Sequence, residues 1–177
     1  VSTGSNMYGG VLCAKTSDVL INNNGEVSIS DNDFTSTKAS NSNTYGGAVY
    51  VTGACTFSVS NNGSVDISDN SLTSKATAHG GAIDIGQLNS EENVLVWNAN
   101  GNIMLSGNTA SGSQARGGAM HAKSRGEISG TTGTLSFINN TASSSNSTAY
   151  GGAICLEGNG HIALKNNNIV DFKGNRS

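Results

Sequence analysis

Gly46-Gly47-Ala48-Val49, followed at a distance by Ile67-Ser68-Asp69-Asn70, are the two short stretches that decide the fold. Each recurs. Glycine pairs stand at Gly9-Gly10, Gly46-Gly47, Gly80-Gly81, Gly117-Gly118 and Gly151-Gly152, separated by 37, 34, 37 and 34 residues. After each pair comes an apolar-x-x-Asn tetrad, ending at Asn32, Asn70, Asn108, Asn140 or Asn175. A period of this size is the mark of stacked supersecondary units, none of which can bury its apolar face alone.

Aligning the copies on the terminal Asn shows what each unit contains. Three residues before it stand Ile29, Ile67, Leu105, Phe137 and Phe172, and five before it Val27, Val65, Ile103, Leu135 and Val170. A spacing of two places both columns on one face of a strand. Seven before it stand Gly25, Gly63, Gly101, Gly133 and Asn168. These residues tolerate positive φ, so a tight turn is expected there. A second strand precedes that turn, with Val19 and Ile21, Phe57 and Val59, Leu95 and Trp97, and Ile162 and Leu164 pointing inward. The fourth unit offers only Ile128, which predicts a slip of one residue. A third strand starts at the glycine pair, with Leu12, Val49, Ile83, Met120 and Ile154 inward and Cys13, Tyr50, Asp84, His121 and Cys155 outward.

The expected fold is therefore all-β: a right-handed parallel β-helix of about five coils, three short strands to a coil, the hand following the rule for parallel crossovers. One domain spans 1–177, with coils near 8–44, 45–78, 79–115, 116–149 and 150–177. Ser/Thr-rich loops are expected near 35–44, 73–78, 111–115 and 143–149, with an insertion at 86–93. At strand spacing, five coils stack to roughly 24 Å.

Composition agrees. Of 177 residues only 12% are charged, and the net charge is −3. That argues against nucleic-acid binding, which draws on a basic surface. The chain has 24 glycines and no proline. Disordered chains usually bring proline and high net charge, and proline would delete ladder N–H groups. No apolar run reaches the roughly 20 residues of a membrane span. Val1-Ser2-Thr3-Gly4 is neither charged nor apolar, so no signal peptide is read there, and the chain is expected to be a segment of a longer protein.

The Asn column is read as an amide ladder at a turn. The glycine pairs are read as bends where Cβ atoms would crowd adjacent coils. No Lys-Ser/Thr follows any pair, so none is a phosphate loop. Before the pairs stand Tyr8, Tyr45, His79, Arg116 and Tyr150, which either pack on one another at a corner or form a partner-binding strip. Asp84 and His121 share the outward column on adjacent coils and are expected as a surface ion pair. An acid–base pair is the alternative, with Tyr50 nearby. Asp31 and Asp69, with Asp33, offer oxygens to calcium. The Gly-Gly-x-Gly-x-Asp repeat is missing, so no metal and no cofactor is expected. Cys13 and Cys155 are four coils apart, about 19 Å, beyond bonding within one molecule. With Cys55 buried and the count odd, Cys13 and Cys155 are candidates for intermolecular disulfides.

The motifs resemble those of the chlamydial polymorphic outer-membrane proteins, whose hallmark is repeated Gly-Gly-Ala-Ile/Leu/Val and Phe-x-x-Asn. Gly46 to Val49, Gly80 to Ile83 and Gly151 to Ile154 meet the first motif, and Phe137 to Asn140 and Phe172 to Asn175 the second. Gly117 to Met120 and Gly9 to Leu12 are near matches, and three tetrads carry Ile or Leu for Phe. The resemblance implies an autotransporter passenger at the outer membrane or cell surface, or released from it. It implies a C-terminal barrel lying outside this segment as the only membrane contact. It also implies an adhesin that binds a host-cell receptor, protein or glycan, and a disulfide-linked envelope in which copies associate. A non-enzymatic role is expected. A purely structural stalk and a carbohydrate-cleaving β-helix are the alternatives, the latter weakened by the lack of a carboxylate cluster.

Overall fold

The computed structural model describes residues 6–37, 42–86, 93–146 and 148–177. Among them the chain is all strand and turn, wound into a parallel β-solenoid with no helix. Successive coils visit the same sheets in the same order, the last coil adding no strand to the fifth sheet, and every strand pairing is parallel.

The first four coils carry five strands each rather than three, and the last carries four. The first sheet stacks Met7–Tyr8, Thr44–Tyr45, Thr77–His79, Gln114–Arg116 and Ala149–Tyr150. The second, after the glycine pairs, stacks Leu12–Lys15, Val49–Thr52, Ile83–Ile85, Met120–Ala122 and Ile154–Leu156. The third holds Val19–Asn22, Phe57–Ser60, Asn93–Asn98, Arg125–Ser129 and His161–Lys165, and the fourth Glu26–Ser30, Ser64–Ser68, Asn102–Ser106, Thr134–Ile138 and Ile169–Lys173. The fifth holds Asp33–Thr35, Ser71–Thr73, Thr109–Gly112 and Thr141–Ser144.

Much of what reads as Ser/Thr-rich loop is thus the fifth and first sheets. Their strands are two to four residues long, and their inward residues are small, so the apolar signal is faint. Leu72, Ala78, Ala110, Ala115 and Ala142 form a second, minor core there, with Phe34 and Ala149 packed against it. The main core lies among the second, third and fourth sheets. Phe57, Trp97, Ile67, Leu105 and Phe137 are fully enclosed in it. Burying an aliphatic or aromatic side chain of this size stabilises by about 1.5–3 kcal/mol.

One turn expectation is corrected and one is met. Positive φ does not fall on Gly25, Gly63, Gly101, Gly133 or Asn168 but earlier, on Asn23, Asn61, Ala99, Gly130 and Asn166. Gly101 is needed for close approach instead: a Cβ there would lie 1.8 Å from the Gly63 carbonyl oxygen. The fourth unit does slip by one residue, as expected. Ile128 pairs with Trp97 and Leu164 yet stands one residue farther from its tetrad Asn than they do, the extra residue falling in the turn between Ser129 and Thr134. Gly126 takes the missing inward place, in register between Leu95 and Ile162. A Cβ there would lie 2.9 Å from Leu95 Cβ and 2.8 Å from Ile162 Cδ1, so the neighbours fill the gap. A second irregularity lies between Asn93 and Leu95. Most of the insertion expected at 86–93 lies outside the described residues, as do 38–41 and 147 of the expected loops.

Candidate functional site

At each glycine pair the first glycine is in the left-handed region, from +52° at Gly9 to +69° at Gly80 and Gly117. The second glycine abuts the next coil; a Cβ on Gly81 would stand 1.9 Å from the Gly118 carbonyl oxygen. The resulting bend brings together side chains that point away from the main core on either side of it. Residues just before the pair meet the outward column of the second sheet. Tyr8 and Tyr45 stack at 5.3 Å, and both contact Tyr50, at 4.8 and 5.6 Å. Lys15 Nζ sits 3.8 Å over the Tyr8 ring. His79 stacks on Tyr45 at 4.8 Å and tilts against His121 at 4.7 Å. The five residues read as a corner or a partner strip therefore differ in access: His79 is buried, Tyr8, Tyr45 and Arg116 are half-buried, and Tyr150 is exposed.

This corner overturns the surface reading of Asp84 and His121. Each is only 1% exposed, roofed by the residues before the glycine pairs and by Glu157. The Asp84 carboxylate meets His121 Nδ1 in a close hydrogen bond. On its other side His121 Nε2 lies 3.2 Å from Glu157 Oε2. Glu157 Oε1 is 3.0 Å from Arg116 Nε, and Lys123 Nζ is 3.6 Å from Oε2. Arg116 also donates to Gln114 Oε1 at 3.1 Å. Burial pushes the Asp84 carboxyl above its ordinary value, against the opposing pull of its His121 hydrogen bond. His79 is pushed down to about 2 by burial first, then by His121, Arg116 and Lys123. Its Nδ1 is buried without a hydrogen-bond partner among the described residues. His79, His121 and Glu157 each present a ligand atom, all within 4.8 Å of one another. Asp31, Asp33 and Asp69 join no such group among the described residues. Asp31 and Asp69 are turn residues at positive φ.

Glu157 and Lys123 escaped the reading of the sequence. Each stands six residues after the first glycine of its pair, so opposite charges recur at one position in successive coils. That offset was the available signal.

The Asn column is a continuous ladder. Asn32, Asn70, Asn108 and Asn140 each donate Nδ2 to the next Asn Oδ1, at 2.8 to 3.0 Å, ending on Asn175. Asn70, Asn108, Asn140 and Asn175 also donate to a backbone carbonyl of an adjacent coil. A second ladder, Asn24 to Asn62 to Asn100, runs through the preceding turn. It was missed because the fourth coil has Thr131 in this place, one residue out of phase.

The thiols divide. Cys13 is exposed, whereas Cys55 and Cys155 are buried. Burial first, then Glu157, pushes the Cys155 thiol up to about 11. Enclosure removes Cys155 as a ready cross-linking partner, because the thiolate is the reactive form. Cys13, Tyr50, Asp84, His121 and Cys155 stand in one register line across the second sheet.

The chain matches no protein-family model, no curated protein and no solved structure.

Proposed function

We propose that the chain is a segment of a surface-exposed autotransporter passenger acting as an adhesin, a rigid solenoid whose outer faces bind a host-cell surface molecule, protein or glycan. One observation supports it above the others. The Gly-Gly-Ala and Phe-x-x-Asn-type motifs, which carry the resemblance to chlamydial polymorphic outer-membrane proteins, are the residues that bend and ladder each coil. They work as one repeated device. Outward positions are free of that duty and can vary: Leu20, Met104 and Tyr150 stand exposed on the outside. Enzymatic action is not part of this reading. The Asp84–His121 pair, the acid–base candidate, is shut away from any substrate.

The ladder regularity also favours a second reading, a stalk that holds a distal binding tip away from the membrane. Beads coated with the purified segment separate the two. Adhesion to epithelial cells above that of beads carrying an unrelated β-solenoid is expected for the adhesin. Prior protease or glycosidase treatment of the cells distinguishes a protein receptor from a glycan. Binding equal to the control leaves the stalk.

A further inference from the structure

We propose that His79, His121 and Glu157 form a zinc(II) site that clips three successive coils together. His79 ends a first-sheet strand, His121 lies on the second-sheet strand of the next coil, and Glu157 follows the second-sheet strand of the coil after that. Two imidazoles and one carboxylate are a donor set that suits zinc, with a fourth position left to water or a partner's ligand. Calcium and magnesium prefer all-oxygen surroundings.

The geometry is close to what zinc requires. Bonds of roughly 2.0–2.2 Å at tetrahedral angles set ligand atoms about 3.3 Å apart. His121 Nε2 and Glu157 Oε2 are 3.2 Å apart. The His79 ligand atom lies within 4.8 Å of both and closes the remainder by sliding along the Tyr45 face it stacks on. The outer partners fit as well. His121 gives its other ring nitrogen to the Asp84 carboxylate, the arrangement that fixes a metal-binding imidazole in its tautomer and orientation. Arg116 Nε lies 3.0 Å from Glu157 Oε1 and anchors the carboxylate in the corner. The buried Nδ1 of His79, unpartnered among the described residues, marks a polar ring in need of a ligand. Two groups compete: Arg116 Nη1 lies 3.3 Å from Glu157 Oε2 and Lys123 Nζ 3.6 Å. Lys123 is about a third exposed on a flexible stem and can withdraw into the shallow depression it lines with Glu157, Gly158 and Asn159.

The site does not depend on what the outer surface binds. The chelator-stripped chain is titrated with zinc chloride by calorimetry, and cobalt(II) reports coordination by its visible absorption. One ion per chain is expected, with a melting temperature that climbs with the logarithm of free zinc. Glu157→Gln weakens binding at least tenfold, and His79→Gln abolishes it. Lys123→Met tightens it by removing a competing cation, an effect that a purely structural ion-pair network does not produce. His161→Ala, at an exposed histidine elsewhere, leaves it unchanged. Absence of zinc uptake by the folded chain overturns the site. So does uptake unaffected by Glu157→Gln and Lys123→Met, or lost on His161→Ala. Should His79→Gln fail to fold, the two rim variants decide.

Discussion

The Asn ladders and the polar corner are both columns of polar side chains running up the same solenoid, and they are built on opposite plans. In the ladder ending at Asn175, every coil contributes the same residue making the same bonds. In the corner, Cys13, Tyr50, Asp84, His121 and Cys155 follow one another, facing Tyr8, Tyr45, His79, Arg116 and Tyr150. A uniform column can satisfy its hydrogen bonds by translation alone. A mixed column must find partners coil by coil, and here it gathers a buried acid, two imidazoles and a charged rim. In a repeat protein, identity between coils signals a structural duty, and departure from it marks where particular chemistry has been placed.

The contrast is sharpest at the bend that creates the corner. Gly81→Ala would drive a Cβ to 1.9 Å from Gly118 O and 2.6 Å from the Thr109 carbonyl carbon. Backbone cannot yield there, so a loss above about 4 kcal/mol is expected. A cooperative melt near the wild-type temperature would show that the coils tolerate wider spacing. Next comes the ladder. Asn108→Ala strips the side-chain partner from the Asn70 N–H and the Ile67 carbonyl, while Asn70 Nδ2 keeps the Ile29 carbonyl and Asn140 Oδ1 keeps the backbone N–H of residue 108. The expected cost is about 3 kcal/mol in chemical denaturation, given 1–3 for each buried group left unpaired.

The corner should differ from the ladder in its response to acid. The folded His79 value of about 2 lies below the ordinary 6.5. Protonation therefore favours the unfolded chain: the contribution is whole above about pH 6.5 and drains away as pH falls toward the folded value. Measured in chelator, stability should decline by up to about 1.4 kcal/mol per pH unit in that window. His79→Tyr, which restores the residue found at Tyr8, Tyr45 and Tyr150, should flatten this slope by one proton. An unchanged slope would locate the acid sensitivity elsewhere.

Smaller effects test the same distinction. Gly25 belongs to the same column as Gly101, yet a Cβ on it would meet nothing within 4 Å among the described residues. Gly25→Ala should be neutral or stabilise by about 0.4–1 kcal/mol. Last, a maleimide at pH 8 should label Cys13 in the native chain while Cys155, about one part in a thousand thiolate at that pH, stays silent until unfolding. Disulfide-linked dimers on a non-reducing gel should then disappear with Cys13→Ser.

The sequence was legible where side chains are large and periodic. Val65 and Ile67, or Ile103 and Leu105, alternate over a full strand, and the structure places these residues in the main core. It was illegible where strands shrink to two or three residues lined by alanine, as at Ala78, Ala115 and Ala149, because small side chains carry little apolar signal. Asp84 and His121 were assigned to the correct strand face, but their burial was not foreseen. Facing away from the core says nothing about what folds over that face.

By itself, then, the sequence determined a parallel solenoid: its period, its strand faces and the glycines and asparagines at its bends, because stacking forces like residues into line. Only the tertiary structure decided that an outward column is roofed over, that Glu157 reaches His121, and that Gly25 and Gly101 have different duties. Those outcomes depend on the angle between adjacent sheets and on neighbours about 35 residues away in the chain, distances in space that no local pattern encodes.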